Sequence, residues 1–174
     1  KIVVLDGRKS MSFDGVIESY EWIFTDGSTA LGAIQERRYD KPGTYNEVLK
    51  VIDSRGNIDY DFMVVQVLDP NDPSFLPPTI HACYYPTVGI KVGNPVSFGV
   101  RTFRVNGGSE KWDFGDGSPI IEVKSELPQD RTKGKYAETI HSFSKPGHYV
   151  VHVERTGNNG YKAVACLHVQ VLSD

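Results

Sequence analysis

Two groups of side chains in this sequence have the types and spacing to do chemistry. In Trp112-Asp113-Phe114-Gly115-Asp116-Gly117-Ser118, two aspartates stand three positions apart. Paired carboxylates serve as general acid and base when the surroundings of one of them raise its pKa. This run offers no such surroundings. Period-2 alternation turns Trp112 and Phe114 inward and Asp113 outward, and Asp116-Gly117 has the composition of a tight turn that needs φ > 0. The run reads as a core strand entering a turn, and no catalytic residue is assigned. The second group is His148, His152, Cys166 and His168. All four are even-numbered and fall on the outer face of two strands expected to be adjacent, and His and Cys are zinc ligands. A flat strand face rarely closes a tetrahedral shell, so packed or solvated side chains are expected there and no metal site is assigned.

Cys83 and Cys166 are the two cysteines of the sequence. They exclude a disulfide-dense scaffold and a zinc site made of four cysteines. One disulfide between them stays open as an alternative to two free thiols, since first and last strands of a sandwich can be neighbours. Tyr84-Tyr85-Pro86 could offer an aromatic platform to a sugar, although strand-end tyrosines usually pack. No Ser/His/Asp order, phosphate-cradling glycine loop or HExxH pattern occurs.

The elements that position these residues follow from a repeat. Trp22-Ile23-Phe24-Thr25-Asp26-Gly27-Ser28 matches Trp112–Ser118 at an offset of 90, and Lys41-Pro42-Gly43-Thr44-Tyr45 matches Lys145-Pro146-Gly147-His148-Tyr149 at an offset of 104. The second copy therefore holds about 14 more residues between its signatures, within 119–140, where charge, Pro and Gly indicate a loop or extended hairpin. Between the copies, Asp69-Pro70-Asn71-Asp72-Pro73-Ser74-Phe75-Leu76-Pro77-Pro78 carries four prolines and reads as a semi-rigid linker. The division is 1–68, a linker at 69–78, and 79–174 with an insert near 119–137.

Strands alternate with period 2 throughout: Tyr45, Leu49 and Val51; Met63, Val65 and Val67; Tyr149, Val151 and Val153. No segment has a helical stripe. Short strands separated by Gly, Asn, Asp and Pro indicate an all-β chain of two antiparallel sandwiches. A buried Trp and a tyrosine set just after a Pro-Gly corner, with its hydroxyl free to bond back to the corner, recur in both copies as in immunoglobulin-like sandwiches. In the last hairpin the inward residues are odd on both strands, 149, 151, 153 and 167, 169, 171. Paired positions must then sum to an even number, so the turn within 156–160 holds an odd number of residues, three or five.

The sequence has 174 residues and a net charge of -3. Residues 1–69 carry 8 Lys+Arg against 12 Asp+Glu, and 79–174 carry 11 against 9. Neither copy has the basic excess of a nucleic-acid binder. No apolar run approaches the ~18 residues needed to cross a membrane. The opening residues, Lys1-Ile2-Val3-Val4-Leu5, have no signal-peptide layout and already read as a strand, which points to a piece of a longer chain.

Leu5-Asp6-Gly7-Arg8-Lys9-Ser10, Phe13-Asp14-Gly15, the two Trp-x-Phe-x-Asp-Gly-Ser runs and the two Lys-Pro-Gly-x-Tyr corners resemble the PKD (polycystic kidney disease) domain, twice over. The resemblance implies two tandem immunoglobulin-like sandwiches from a secreted or cell-surface protein. In microbes such modules often flank the catalytic domains of secreted polysaccharide hydrolases, chitinases and proteases, so the resemblance further implies a non-catalytic spacer or interaction segment, with a polysaccharide-acting enzyme the expected parent; a true carbohydrate- or protein-binding module is the alternative. Its partners would be the rest of its own chain, and a polysaccharide or a surface protein held through the outer faces and the insert. Three departures stand out. Copy one starts at the family's second strand, whereas copy two has its first at Thr79–Ala82, so copy one has an open edge or receives a strand from upstream. Glu47 stands where an aliphatic belongs. Of the two copies, only the first keeps a carboxylate, Asp14, in the segment where some relatives bind calcium; calcium is the one cofactor the resemblance admits.

Overall fold

The computed structural model describes residues 1–105, 108–124, 136–157 and 159–173. Those residues form strands and turns, with no helix among them. The first module contains β1 (Ile2–Asp6), β2 (Ile17–Ile23), β3 (Thr29–Leu31), β4 (Ile34–Arg38), β5 (Gly43–Asp53) and β6 (Ile58–Val67). The second contains β7 (Thr79–Tyr85), β8 (Val96–Phe103), β9 (Ser109–Asp113), β10 (Ile121–Lys124), β11 (Ala137–His141), β12 (Gly147–Thr156) and β13 (Lys162–Val171). Most of the insert, 125–135, lies outside the described residues.

Each module is a sandwich whose two sheets enclose a tryptophan. In the second, the sheet β11-β8-β7 faces β10-β9-β12-β13, and Val96, Phe98, Trp112, Phe114, Phe143, Val151 and Val169 fill the space between. The first module uses the same plan with a smaller core of Leu5, Trp22, Phe24 and Leu49. β1 and β4 correspond to β8 and β11, but nothing among the described residues corresponds to β7.

Both corners close as expected. The Tyr45 and Tyr149 hydroxyls donate to the Lys41 and Lys145 carbonyls, each at 2.8 Å. Gly27 and Gly117, 90 apart, both have φ of 82°, the left-handed region that glycine enters without penalty. The β12–β13 register runs from Gly147↔Val171 to Thr156↔Lys162. Residues 157–161 are left to turn, an odd number, as the parity of the inward side chains requires.

The modules are fused along a seam. The edge of β13 pairs in parallel with β5 through Lys162↔Gly43 and Ala163↔Thr44, so one sheet of eight strands runs from module to module. A side chain at position 43 would place its Cβ 3.0 Å from the Lys162 carbonyl oxygen, so the corner glycine is also what lets the two backbones meet. The linker does not hold the modules apart. Its ends are fastened to them: Thr44 Oγ1 donates to the Pro78 carbonyl at 2.6 Å, Arg104 to that of Pro77 at 3.1 Å, and the Tyr161 hydroxyl to Asp69 at 2.6 Å. The stiffness expected from four prolines is supplied by direct packing.

Candidate functional site

The carboxylates of the Trp-x-Phe-x-Asp-Gly-Ser runs are held by the turns they start. Asp113 Oδ1 accepts the Gly115 N–H at 2.9 Å. Asp116 Oδ1 accepts the Ser118 N–H at 3.0 Å, and Asp26 Oδ1 the Ser28 N–H at 3.1 Å. Each turn aspartate also pairs with a basic side chain stacked on the signature phenylalanine. Arg37 lies over Phe24, its guanidinium carbon 4.3 Å from the ring centroid, and reaches Asp26 at 2.5 Å. His141 lies flat on Phe114 at 3.9 Å and reaches Asp116 at 2.8 Å. Arg37 and His141 are related by the 104-residue offset, so one packing device is built twice with different bases. Burial works to raise both aspartate pKa values, but hydrogen bonds from Ser28 and Arg37 hold Asp26 at about 2, and those from Ser118 and His141 hold Asp116 below the ordinary range. A general acid needs the opposite shift.

Glu47 is fully buried, in the place where Val151 sits in the second module. Its carboxylate accepts the Thr25 N–H at 2.7 Å and the Tyr39 hydroxyl at 2.9 Å. The second copy has Gly115, Phe143 and Val151 at these three positions. Three departures from the repeat are thus one polar cluster in which a buried charge keeps its partners. Comparing the copies side by side holds this signal, because Tyr39 replaces Phe143 just where Glu47 replaces Val151.

His148, Cys166 and His168 share an outer face, as their parity implies, but that face is covered by the first module. His148 Nδ1 and His168 Nε2 are 2.8 Å apart. The Tyr60 ring of β6 stacks on His168 at 4.2 Å. Cys166 Sγ approaches the Asn46 carbonyl at 3.9 Å. Burial, with the Glu47 charge nearby, pushes the Cys166 thiol up to about 12. Burial and the neighbouring His148 hold His168 below the ordinary histidine value. Val164 and Val48, even-numbered like these residues, are buried as well. His152 lies opposite Cys166 in the register and is, like it, half-buried. No three metal-ligating side chains converge among the described residues.

Cys83 and Cys166 are both free. Each points outward, but from opposite sheets: Cys83 on β7 lies beside Gly99, and Cys166 on β13 faces Asn46. Outward side chains on the two sheets of a sandwich diverge. Tyr84 packs on Phe98 and donates to the His168 carbonyl at 2.7 Å, while Tyr85 is exposed; the pair does not make a flat platform. Near Asp14 the acidic groups already have protein partners. Asp14 pairs with Arg55 at 3.0 Å, and Asp53 accepts from Ser12, Arg55 and Asn57.

Two family models match this chain, each with the description PKD domain, one over residues 1–67 and one over 81–171. The chain belongs to the PKD family. A stretch of 64 residues, 37% of this chain, is 36% identical to 6% of the collagenase ColA of Clostridium perfringens. A stretch of 68 residues, 39% of this chain, is 35% identical to 7% of the pre-pro-metalloprotease PrtV of Vibrio cholerae. The chain thus spans a small part of the curated relatives it matches. The fibronectin(III)-like modules of Clostridium thermocellum CbhA are similar in fold, with 12% identity, a TM-score of 0.43, and 94% of this chain and 83% of theirs covered.

Proposed function

We propose that this tandem is a non-catalytic accessory segment of a larger secreted protein, and that it works as one rigid arm fixing the spacing and orientation of the parts on either side. The seam carries this reading: the shared sheet, the Gly43–Lys162 approach and the Tyr60–His168 stack lock the modules to each other. A rigid arm keeps attached parts at an effective concentration that a flexible linker dilutes.

The relatives named above are a collagenase and a metalloprotease. They support a secreted peptidase as the parent in preference to the polysaccharide-acting enzyme expected from the sequence. The test is to replace the tandem, in its parent protein, by a Gly/Ser linker of equal span. Activity on a small soluble substrate stays unchanged and activity on an insoluble polymer falls. Equal activity on both substrates overturns the arm reading, and turnover by residues 1–174 alone overturns the non-catalytic one. Retention of the isolated tandem on insoluble polysaccharide or collagen would replace the arm with a binding module.

A further inference from the structure

Three side chains of the seam depart from the repeat together. His148 and His168 lie on the outer face of β12 and β13, where the first module has Thr44 and Val64, and Tyr60 of β6 stands where the second has Val164. The sandwich plan demands none of the three. The two imidazoles meet head to head: His148 Nδ1 and His168 Nε2 are 2.8 Å apart, with the ring planes within 4° and the centroids 5.0 Å apart. Tyr60 stacks on both, at 4.2 Å from His168 and 6.1 Å from His148. This contact lies six residues along β13 from the Lys162↔Gly43 pairing, about 20 Å at the rise of a strand. The linker bonds to Thr44 and Tyr161 belong to the Gly43 end. The seam is thus fastened at two separate places, by backbone and linker at one and by the histidine pair at the other.

A contact of this kind counts protons. One imidazole gives an N–H to the bridge and the other a lone pair. Each ring keeps one outer nitrogen, His148 Nε2 and His168 Nδ1. A first added proton goes to whichever outer nitrogen is bare, and the bridge stays. A second has only the bridging lone pair left to take. Two N–H groups then face each other where one hydrogen fits, and two positive rings lie side by side in a half-buried place. Among the described residues no carboxylate bonds either ring. Burial and then His148 hold His168 below the ordinary histidine value, with Asp59 of β6 opposing them. Lys50 of β5 and Glu21 of β2, which act on Tyr60, are paired with each other at 3.0 Å. On β12, His152 faces Glu154, Asp113 and Lys162. On β13, Cys166 stays a neutral thiol near Glu47. From β7, the Tyr84 hydroxyl bonds the His168 carbonyl and leaves its ring free to titrate.

We propose that His148 and His168 are a proton-operated latch on the seam: with one added proton the pair stays closed, and with two it parts and lets the Tyr60 side of the first module swing about the main-chain pairing of Gly43 and Lys162. The latch rests on the rigid-arm reading and makes it conditional. Near neutral pH the arm fixes the spacing of what it joins. In acidic surroundings, below the ordinary histidine pKa of about 6.5, it becomes a jointed arm. The Gly43 end holds through this change, because Asp69, the acid among its bonds, is kept below the ordinary carboxylate range by the Tyr161 hydroxyl.

Spin labels on Cys83 and on Glu36→Cys, one on each module and away from the latch, report the distance between the modules by pulsed dipolar spectroscopy in samples frozen from two pH values. The native pair gives one narrow distribution at about pH 7.5 and one at least about twice as wide at about pH 4.5, while the emission of the buried Trp22 and Trp112 stays that of folded modules. His168→Gln and His148→Gln each replace one imidazole by an amide whose oxygen accepts from the charged partner, so both variants stay narrow at the lower pH. A native distribution that stays narrow at the lower pH, or that widens as much in both glutamine variants, overturns the latch, as does widening that comes with loss of the folded Trp emission. A native distribution already wide at the higher pH overturns the rigid arm itself.

Discussion

Substituting Tyr60→Ala removes the ring that joins the modules from the first-module side. The Tyr60 ring stacks on His168 at 4.2 Å and lies 6.1 Å from His148. Tyr60 is half-buried, and that burial raises its hydroxyl pKa. An aromatic pair contributes about 0.5–1.5 kcal/mol beyond its area burial, and the lost apolar area adds about 1–2 kcal/mol. The variant should therefore lose about 2–3 kcal/mol in urea unfolding of residues 1–174. Because other contacts of the ring are lost as well, a double-mutant cycle with His168→Ala isolates the stack. Its coupling energy should be about 0.5–1.5 kcal/mol. A coupling below about 0.3 kcal/mol, or the same loss from Tyr60→Ala in residues 1–68 alone, would refute a seam held by this contact.

The remaining predictions concern the same seam and the repeated signatures. His168 is held below the ordinary histidine pKa of about 6.5, with Asp59 opposing the shift, so the unfolded chain binds the extra proton. Stability from this group is fully present above pH ~6.5 and is lost as pH falls below it toward the depressed folded pKa; His168→Gln should flatten the Tm against pH curve in that window. Gly115→Ala puts a Cβ 2.6 Å from the Val150 carbonyl oxygen at a φ of 71° and should lower stability by about 2 kcal/mol or more in thermal unfolding. Glu47→Val leaves the Thr25 N–H and Tyr39 hydroxyl without their acceptor and should cost about 2–4 kcal/mol, whereas Glu47→Val with Tyr39→Phe and Thr25→Gly, the set in the second copy, should recover at least half of that. A thiol reagent at neutral pH should modify the exposed Cys83 first and the half-buried Cys166, whose thiol pKa is pushed up to about 12, only after denaturant is added.

Much of the fold was legible because it rests on local patterns. The Pro-Gly corners, the Asp-Gly turns and the parity of 149–153 against 167–171 each fix geometry within a few residues. The seam was not, because period-2 alternation labels one face of a strand as outward without saying what covers it. His148, Cys166 and His168 were placed on the correct face, yet that face belongs to an interface. Glu47 read as an exception until Thr25 and Tyr39, 22 and 8 residues away, were found to bond to it. The open side of the first module was legible, since the second copy supplied its own standard of comparison.

The central claim is that the two PKD modules move as one body. Spin labels on the native Cys83 and on Glu36→Cys, exposed on opposite modules, measure it by pulsed dipolar spectroscopy. The seam predicts one narrow distance distribution, unchanged when Pro70, Pro73 and Pro77 of the linker are replaced by glycine. A broad distribution, or one that broadens with those glycines, would contradict it.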